Sequence, residues 1–197
     1  MEEGKIIPVG ELLEKQQQEL KGFLKKNKDL FAWSIEELQQ THMGEHAIIT
    51  ENVHPIKKHA YRTAPKENAF IEKEINEMLE QGLIQPSTSS WSFPVVIVKK
   101  KNGQLSFCVN YKLLNDVTKK DTYPLPRIDE ILDVLNGAQW FTTLDLISGY
   151  WQIKVKEEDQ KKIAFVIKFE TYEFKVMPFG LCNAPATFQR TMDKVLL

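Results

Sequence analysis

The sequence is poor in cysteine: Cys108 and Cys182 are the only two among 197 residues. They stand far apart with no C-x-x-C spacing, too few for a disulfide framework or a cysteine zinc site, which suits a reducing compartment. No apolar run approaches the length of a membrane span, and no signal peptide is visible at the N-terminus. The expectation is a soluble intracellular protein, not secreted and with no membrane partner. Charge of either sign in excess is also lacking, since 26 basic against 27 acidic residues leave a net −1. No global basic field therefore announces a polyanion. Internal repeats and low-complexity tracts are absent as well. What remains, 42% hydrophobic and 27% charged, is the composition of an ordinary globular chain. At this length it could bury roughly two-thirds of its unfolded surface, enough for one core or two small lobes.

The even balance hides a local asymmetry. Residues Val95 to Lys120 hold six lysines (Lys99, Lys100, Lys101, Lys112, Lys119 and Lys120) against the single acid Asp116, whereas Glu67 to Glu80 is acidic. A local basic patch, rather than net charge, is the quantity that matters for polyanion binding.

Periodicity sketches the elements. Glu11 to Lys26 reads as a helix with Leu13, Leu20 and Leu24 on one side, interrupted by Gly22. Residues 33–62 are poorly patterned, with a short strand at HAIIT. Pro65 opens a helix whose stripe is Phe70, Ile71, Ile75, Met78 and Leu79, closed by Gly82. FPVVIVKK and QLSFCVNYK are two strands joined by a hairpin at Asn102-Gly103. YPLPR is extended because each proline biases its predecessor away from helix. Ile128, Ile131, Leu132 and Leu135 mark a short helix. FTTLDLISGYWQIKV reads as a strand, a tight turn and a second strand; IAFVIKF and YEFKVM make another pair. Asn183 and Pro185 begin a helix carrying Phe188, Met192 and Val195.

Four features invite a chemical reading. All four histidines (His42, His46, His54, His59) fall in the poorly patterned segment. The four-residue step from His42 to His46 lacks a third ligand, so surface or packing roles are expected rather than zinc. The triplet Glu157, Glu158, Asp159 lies between strands in a turn flanked by lysines and reads as a solvated loop. Lys99 to Lys101 lead into the Asn-Gly tip. They either deter edge pairing or form a flexible cationic finger able to close over a triphosphate or a phosphodiester backbone. Asp145 interrupts an apolar run, where an unpaired buried acid is costly. It either caps the Ser148-Gly149 turn or sits as a ligand near a strand end.

Four runs carry a resemblance: GLIQPSTSSWSFPVVIVKKKNG, YPLPRIDEILDVLNGA, FTTLDLISGYWQI and YEFKVMPFGLCNAPATFQRTM. In order and spacing they resemble the reverse transcriptase region of gypsy-type LTR retrotransposon polyproteins, over about Ile56 to Leu197. The resemblance implies an α+β fold: the fingers and a partial palm of a right-hand polymerase behind a small N-terminal extension. Residues 1–62 would be a protease-to-polymerase connector and 63–197 a partial reverse transcriptase domain. Fingers would span about 64–120 and 153–184, palm about 121–152 and 185–197. Asp145 matches the family's first metal-binding aspartate, and the Leu146 backbone carbonyl would join it. Lys100 and Lys101 would grip the triphosphate. Tyr150 would stack under the sugar, where a ring that clashes with a ribose hydroxyl favours deoxynucleotides. Phe179 and Gly180, with Pro178, would line the nucleotide pocket. Lys99, Asn110, Lys112 and Gln189 would meet nucleic acid.

The implied chemistry uses two Mg2+ ions about 3.5–4 Å apart, each seeking about six oxygens. One aspartate cannot supply them, and the chain contains no Asp-Asp pair. Ser106 stands where the family usually carries an arginine that clamps phosphates. Asn110 and Lys112 replace Asp and Arg, and Ile147, Trp151 and Ile163 occupy positions commonly Arg, His and Thr. The implied partners are an RNA or DNA template-primer, deoxynucleoside triphosphates, and the remainder of a polyprotein (rest of palm, thumb, RNase H). The implied location is a cytoplasmic virus-like particle or the nucleus. A polymerase fragment inactive alone is the leading expectation; a non-catalytic nucleic-acid-binding relic and an incompletely folded relic are the others.

Overall fold

Strands form where β-branched and aromatic residues find a neighbour to take up their backbone hydrogen bonds, and helices where an apolar stripe can be covered. The computed structural model describes residues 10–32 and 34–196, the Asp29 side chain excepted. Its helices are α1 (Glu14–Lys26), α2 (Pro65–Glu80), α3 (Lys112–Val117), α4 (Ile128–Leu135), α5 (Glu157–Gln160) and α6 (Ala184–Leu196). Its strands are β1 (Glu45–His46), β2 (Ile84–Pro86), β3 (Phe93–Lys99), β4 (Leu105–Val109), β5 (Lys154–Val155), β6 (Phe165–Val166) and β7 (Thr171–Phe174). The mixture is α+β. The chain divides into two units, 1–38 and 39–197. In the first, the Gln16 side chain accepts the Leu13 N–H at 3.0 Å to open α1.

The second unit begins well before residue 63, because its early residues supply pairing partners. The Thr41 N–H donates to the Gln152 carbonyl at 2.7 Å. β1 runs parallel to β5, His46 opposite Val155. Thr50 bridges to Thr118 and Lys57 to Ser92. No periodicity betrays such pieces, since each makes only one or two ladder contacts.

The main sheet has the order β2-β7-β6-β3-β4. β3 and β4 form the expected hairpin, from Val95 opposite Val109 to Lys99 opposite Leu105. Its tip closes with Lys100 N–H to Gln104 O at 2.8 Å, and Gly103 takes φ +83°, a left-handed conformation that glycine adopts without a Cβ penalty. β3 also runs parallel to β6, Phe93 opposite Phe165, while β6 and β7 pair antiparallel.

Aromatic rings fill the core behind this sheet. Phe165 is fully buried, with ring centroids of Phe174, Phe107 and Tyr172 at 5.1, 5.7 and 6.0 Å. Phe93 meets Tyr111 edge-on at 5.5 Å, and the Tyr111 hydroxyl donates to the Ile163 carbonyl at 2.9 Å. α2 buries Ile71, Ile75 and Met78 and packs on β2 and β4. Glu67 accepts the Ala64 N–H at its start. At its end the Leu83 N–H reaches the Met78 carbonyl with Gly82 at φ +68°, a left-handed termination.

Two expectations are corrected here. Residues 141–146 form no strand: a strand needs a neighbour for its N–H and C=O groups, and no described segment pairs with them. The side chains are correspondingly uncovered, with Phe141 64% and Leu144 76% exposed, and Val134 of α4 84% exposed. Ser148 takes φ +45° and leads into a short 3-10 turn at Gly149–Gln152, so only Lys154–Val155 of the expected second strand is extended ladder.

The acid triplet is likewise no solvated loop throughout. It forms α5, and Asp159 is buried. One carboxylate oxygen accepts the Ile48 N–H at 2.8 Å, and the other pairs with Lys162 Nζ at 2.7 Å. Lys162 in turn donates to the Ile48 carbonyl. A turn rich in charge reads as solvated until its backbone partner, over a hundred residues away, is known.

His46 is a packing histidine, as expected. It is 1% exposed, and its Nδ1 lies 2.8 Å from Thr187 Oγ1 on α6. Burial pushes its ring down from 6.5 to about 4, against the opposing pull of the Asp159 and Asp121 carboxylates.

Two outcomes follow for stability. Phe165→Ala should cost about 3–5 kcal/mol in urea unfolding, whereas exposed Val134→Ala should change it by less than about 0.5 kcal/mol. For His46 the unfolded chain binds the proton more readily, so stability is complete above pH 6.5 and is lost as pH falls toward about 4. The loss is on the order of 3 kcal/mol. Unfolding midpoints measured across that window should decline in the parent and stay flatter in His46→Asn.

Candidate nucleotide cleft

A cleft of about 400 Å³ opens between β4, the end of α2 and the loop Pro178–Gly180. Its wall includes Ser106 and Cys108 of β4, Glu74 and Met78 of α2, Trp151, Phe179 and Gly180, with Lys100 reaching over it from the hairpin tip. The sheet register puts Lys100 there, because the paired strands end at Lys99 and Leu105. Four residues expected to meet a nucleotide therefore converge: Lys100, Pro178, Phe179 and Gly180.

The loop is held from beneath. Gly180 sits at φ +93°, and a Cβ would lie 3.6 Å from both Tyr111 Cδ2 and the Val109 carbonyl, so the backbone conformation itself favours glycine. Asn115 fixes it from both sides: its Nδ2 donates to the Gly180 carbonyl at 2.7 Å, and its Oδ1 accepts the Cys182 N–H at 2.9 Å. Sequence reasoning missed Asn115. An asparagine inside a short helix carries no signal when its partners are more than 60 positions away.

Tyr150 reaches the cleft through its neighbour. Its ring centroid is 5.0 Å from that of Phe179 and 5.4 Å, edge-on, from that of Phe188 on α6. Phe179 is 60% exposed, so the stack presents an open aromatic face. Gly149 allows it, because a Cβ there would come within 2.9 Å of Phe188 Cε2. Glu74 is another residue that sequence reasoning passed over. Burial and then the neighbouring Glu77 raise its carboxyl pKa, while Lys73 and Lys100 pull it back. One acid thus faces the cationic tip across the cleft.

The remaining expected residues lie elsewhere. Lys99 and Lys101 are exposed on the hairpin and outside the cleft wall. Asn110 and Lys112 are exposed at the start of α3, where the Asn110 side chain accepts the Lys112 N–H at 3.2 Å. Gln189 donates to Asp193 on its own helix at 2.8 Å. Asp193 also accepts from the Tyr123 hydroxyl, and Arg190 clamps Asp121 at 2.8 and 3.0 Å. This network ties the extended YPLPR segment to α6.

Asp145 departs most from expectation. It is exposed on irregular backbone, not buried in a strand, and it does not line the cleft; Leu146 beside it is 42% exposed. The sheet that would have aligned both is not formed around residues 141–146. Among the described residues no group of three or more His, Cys, Asp or Glu side chains is gathered as a metal site. Asp145 alone therefore does not fit a pair of magnesium ions, each of which needs about six oxygens.

Comparison with known proteins gives these features a context. Residues 98–197 match the family model described as reverse transcriptase (RNA-dependent DNA polymerase). The chain is 41% identical over 182 residues to the retrovirus-related Pol polyprotein from transposon 297 of Drosophila melanogaster, covering 90% of this chain and 17% of that protein. It is 36% identical over 184 residues to the Pol polyprotein from transposon gypsy of the same fly, covering 90% and 18%. A solved structure of prototype foamy virus protease-reverse transcriptase superposes with a TM-score of 0.82 at 26% identity, covering 94% of this chain and 25% of that one. The foamy viral enzyme in complex with an RNA/DNA hybrid superposes at 0.78 and 20% identity, a likeness of fold, covering 94% and 25%. The chain thus spans under a fifth of these transposon relatives.

The packing around Tyr150 can be tested by overfilling it. Gly149→Ala should destabilise the protein by about 1–3 kcal/mol in urea unfolding, as Phe188 is forced aside. Gly44→Ala, where the nearest atom is 3.9 Å away, should stay within about 0.5 kcal/mol.

Proposed function

The chain belongs to the family of reverse transcriptases, the RNA-dependent DNA polymerases, and from that premise we propose that it supplies the fingers and part of the palm of a retrotransposon polymerase. In this proposal the cleft beneath Lys100 receives the incoming deoxynucleoside triphosphate. The observation that carries it is the convergence of Lys100, Phe179 and Gly180 on one wall. An ammonium on a hairpin tip reaches phosphate oxygens as a mobile point charge. The Tyr150–Phe179 stack offers a flat apolar surface to a sugar or base. Gly180 lets the backbone approach without a side chain in the way.

Ser106 gives this cleft a hydroxyl where an arginine would have given two parallel charge-assisted bonds. Lys100 consequently supplies most of the positive charge on the cleft wall, and Glu74 opposes it. Lys99, Lys101 and Lys112, exposed outside the wall, are left to the phosphates of a template-primer, with Asn110 and Gln189 as polar contacts.

The partner in this reading is the rest of a polyprotein. The uncovered apolar side chains of α4 and residues 140–146, Ile128 and Trp140 among them at 78% exposure, support a face on which further palm chain packs. Such a neighbour would also give residues 141–146 the strand partner they lack, and would bring Asp145 into line with other carboxylates.

Binding of a fluorescent deoxynucleoside triphosphate to this chain, followed by anisotropy, tests the assignment. Lys100→Ala should weaken binding by about tenfold or more, the worth of one charge-assisted contact, and Lys112→Ala by less than about twofold. Equal affinity in the parent and Lys100→Ala would remove the nucleotide from this cleft. With an RNA template, a DNA primer, magnesium and all four deoxynucleotides, the 197-residue chain should yield no extended primer.

A further inference from the structure

The wall of the cleft beneath Lys100 holds two charged side chains of opposite sign, Lys100 and Glu74, and no other charged residue lines it. The surface that would receive a triphosphate is therefore close to neutral. Glu74 lies three positions after Ile71 and four before Met78, both buried, which places it on the inner face of α2. It is half-buried there, whereas its neighbours Glu72 and Lys73 are exposed.

The ionisable groups around Glu74 can be followed element by element. On its own helix Lys73 is committed to Glu77 at 3.4 Å, and Glu74 forms no ion pair among the described residues. Of the strands packed on α2, β2 brings no ionisable side chain and β4 brings Cys108. The hairpin tip brings Lys100. Burial and then Glu77 raise the Glu74 carboxyl above its ordinary 4.5, with Lys73 and Lys100 pulling the other way.

A triphosphate drawn to Lys100 brings several negative charges into a wall that already holds this carboxylate. Like charge disfavours ionisation, so the filled cleft holds the Glu74 proton more tightly than the empty one. Linkage makes the effect reciprocal: a protonated Glu74 must hold the nucleotide more tightly. We propose that Glu74 couples triphosphate affinity to protonation, weakening the nucleotide when ionised and taking up a proton as the nucleotide enters. The proton passes from a buffer acid to a Glu74 carboxylate oxygen, and the carboxylate becomes the neutral acid. The inference rests on the nucleotide reading of this cleft. Its sign is fixed: affinity falls as pH rises from the pKa of the empty cleft to that of the filled one, and this contribution is constant above both. Glu74 acts through charge, so its effect grows with the number of phosphates on the ligand.

The test is anisotropy of a fluorescent deoxynucleoside triphosphate in EDTA, with the parent, Glu74→Gln and Glu74→Asp titrated from about pH 5 to about pH 8. The terminal phosphate titrates near about 6 on its own account, equally for each protein, so the ratio of two affinities removes it. Glu74→Gln should bind about three- to fivefold tighter than the parent at the upper end, with the ratio shrinking toward one at the lower end. Glu74→Asp keeps the charge and should keep the parent's pH profile. A fluorescent deoxynucleoside monophosphate should gain less from Glu74→Gln than the triphosphate does. Circular dichroism checks folding, and Glu74→Ala replaces the glutamine variant should that one unfold. Parent affinity in Glu74→Gln at every pH would overturn the proposal. So would a gain that is the same at every pH, or the same for both ligands, which is the mark of altered packing. Lys100→Ala separates the two failures. If it weakens the triphosphate while Glu74→Gln matches the parent, this inference alone falls; if it leaves the triphosphate unaffected, the nucleotide reading falls with it.

Discussion

The parallel pairing of β3 with β6, sealed by Phe93 and Phe165, joins two hairpins that are far apart in the sequence. Each hairpin alone is a marginal structure. Together they bury an aromatic cluster and complete a five-stranded sheet. The cleft beneath Lys100 depends on that union. Lys100 projects from the end of β3, and Gly180 rests on Tyr111, whose ring is braced by Phe93. Loosening Phe165 would free Phe107 and Phe174, which pack on it and line that cleft.

The same rule of pairing explains the chain's least expected region. Leu144, Asp145 and Leu146 have the alternation of a strand and no strand beside them, so their backbone faces solvent and their side chains stay uncovered. The fingers are self-sufficient because their ladders close among residues 84–174. Residues 141–146 are not, since no described segment pairs with them. Asp145 accordingly stands apart from any group of three or more His, Cys, Asp or Glu side chains among the described residues.

Local pattern carried much of the fold. The α2 stripe, the β3–β4 hairpin with its Asn-Gly tip, and the β6–β7 pair all follow from neighbouring residues, and each stands in the structure. What was illegible was long-range. Asp159 looked solvated because its bonds run to Ile48 and Lys162, one of them remote in sequence. Asn115 looked idle because it spans to Gly180 and Cys182. The Asp145 strand was misread for the opposite reason: its pattern is real, but pattern encodes which face a strand presents and not whether a partner is there.

Hydrogen–deuterium exchange of the backbone amides bears most directly on this division between closed fingers and an unpaired palm segment. Slow exchange is expected through Val95–Val98, Phe107, Val109, Phe165–Val166 and Thr171–Phe174, where ladders and core enclose the amides, and fast, unprotected exchange through residues 141–146. Protection of 141–146 matching that of β3 and β6 would contradict the account, since it would mean that the Asp145 segment already holds a strand partner within this chain.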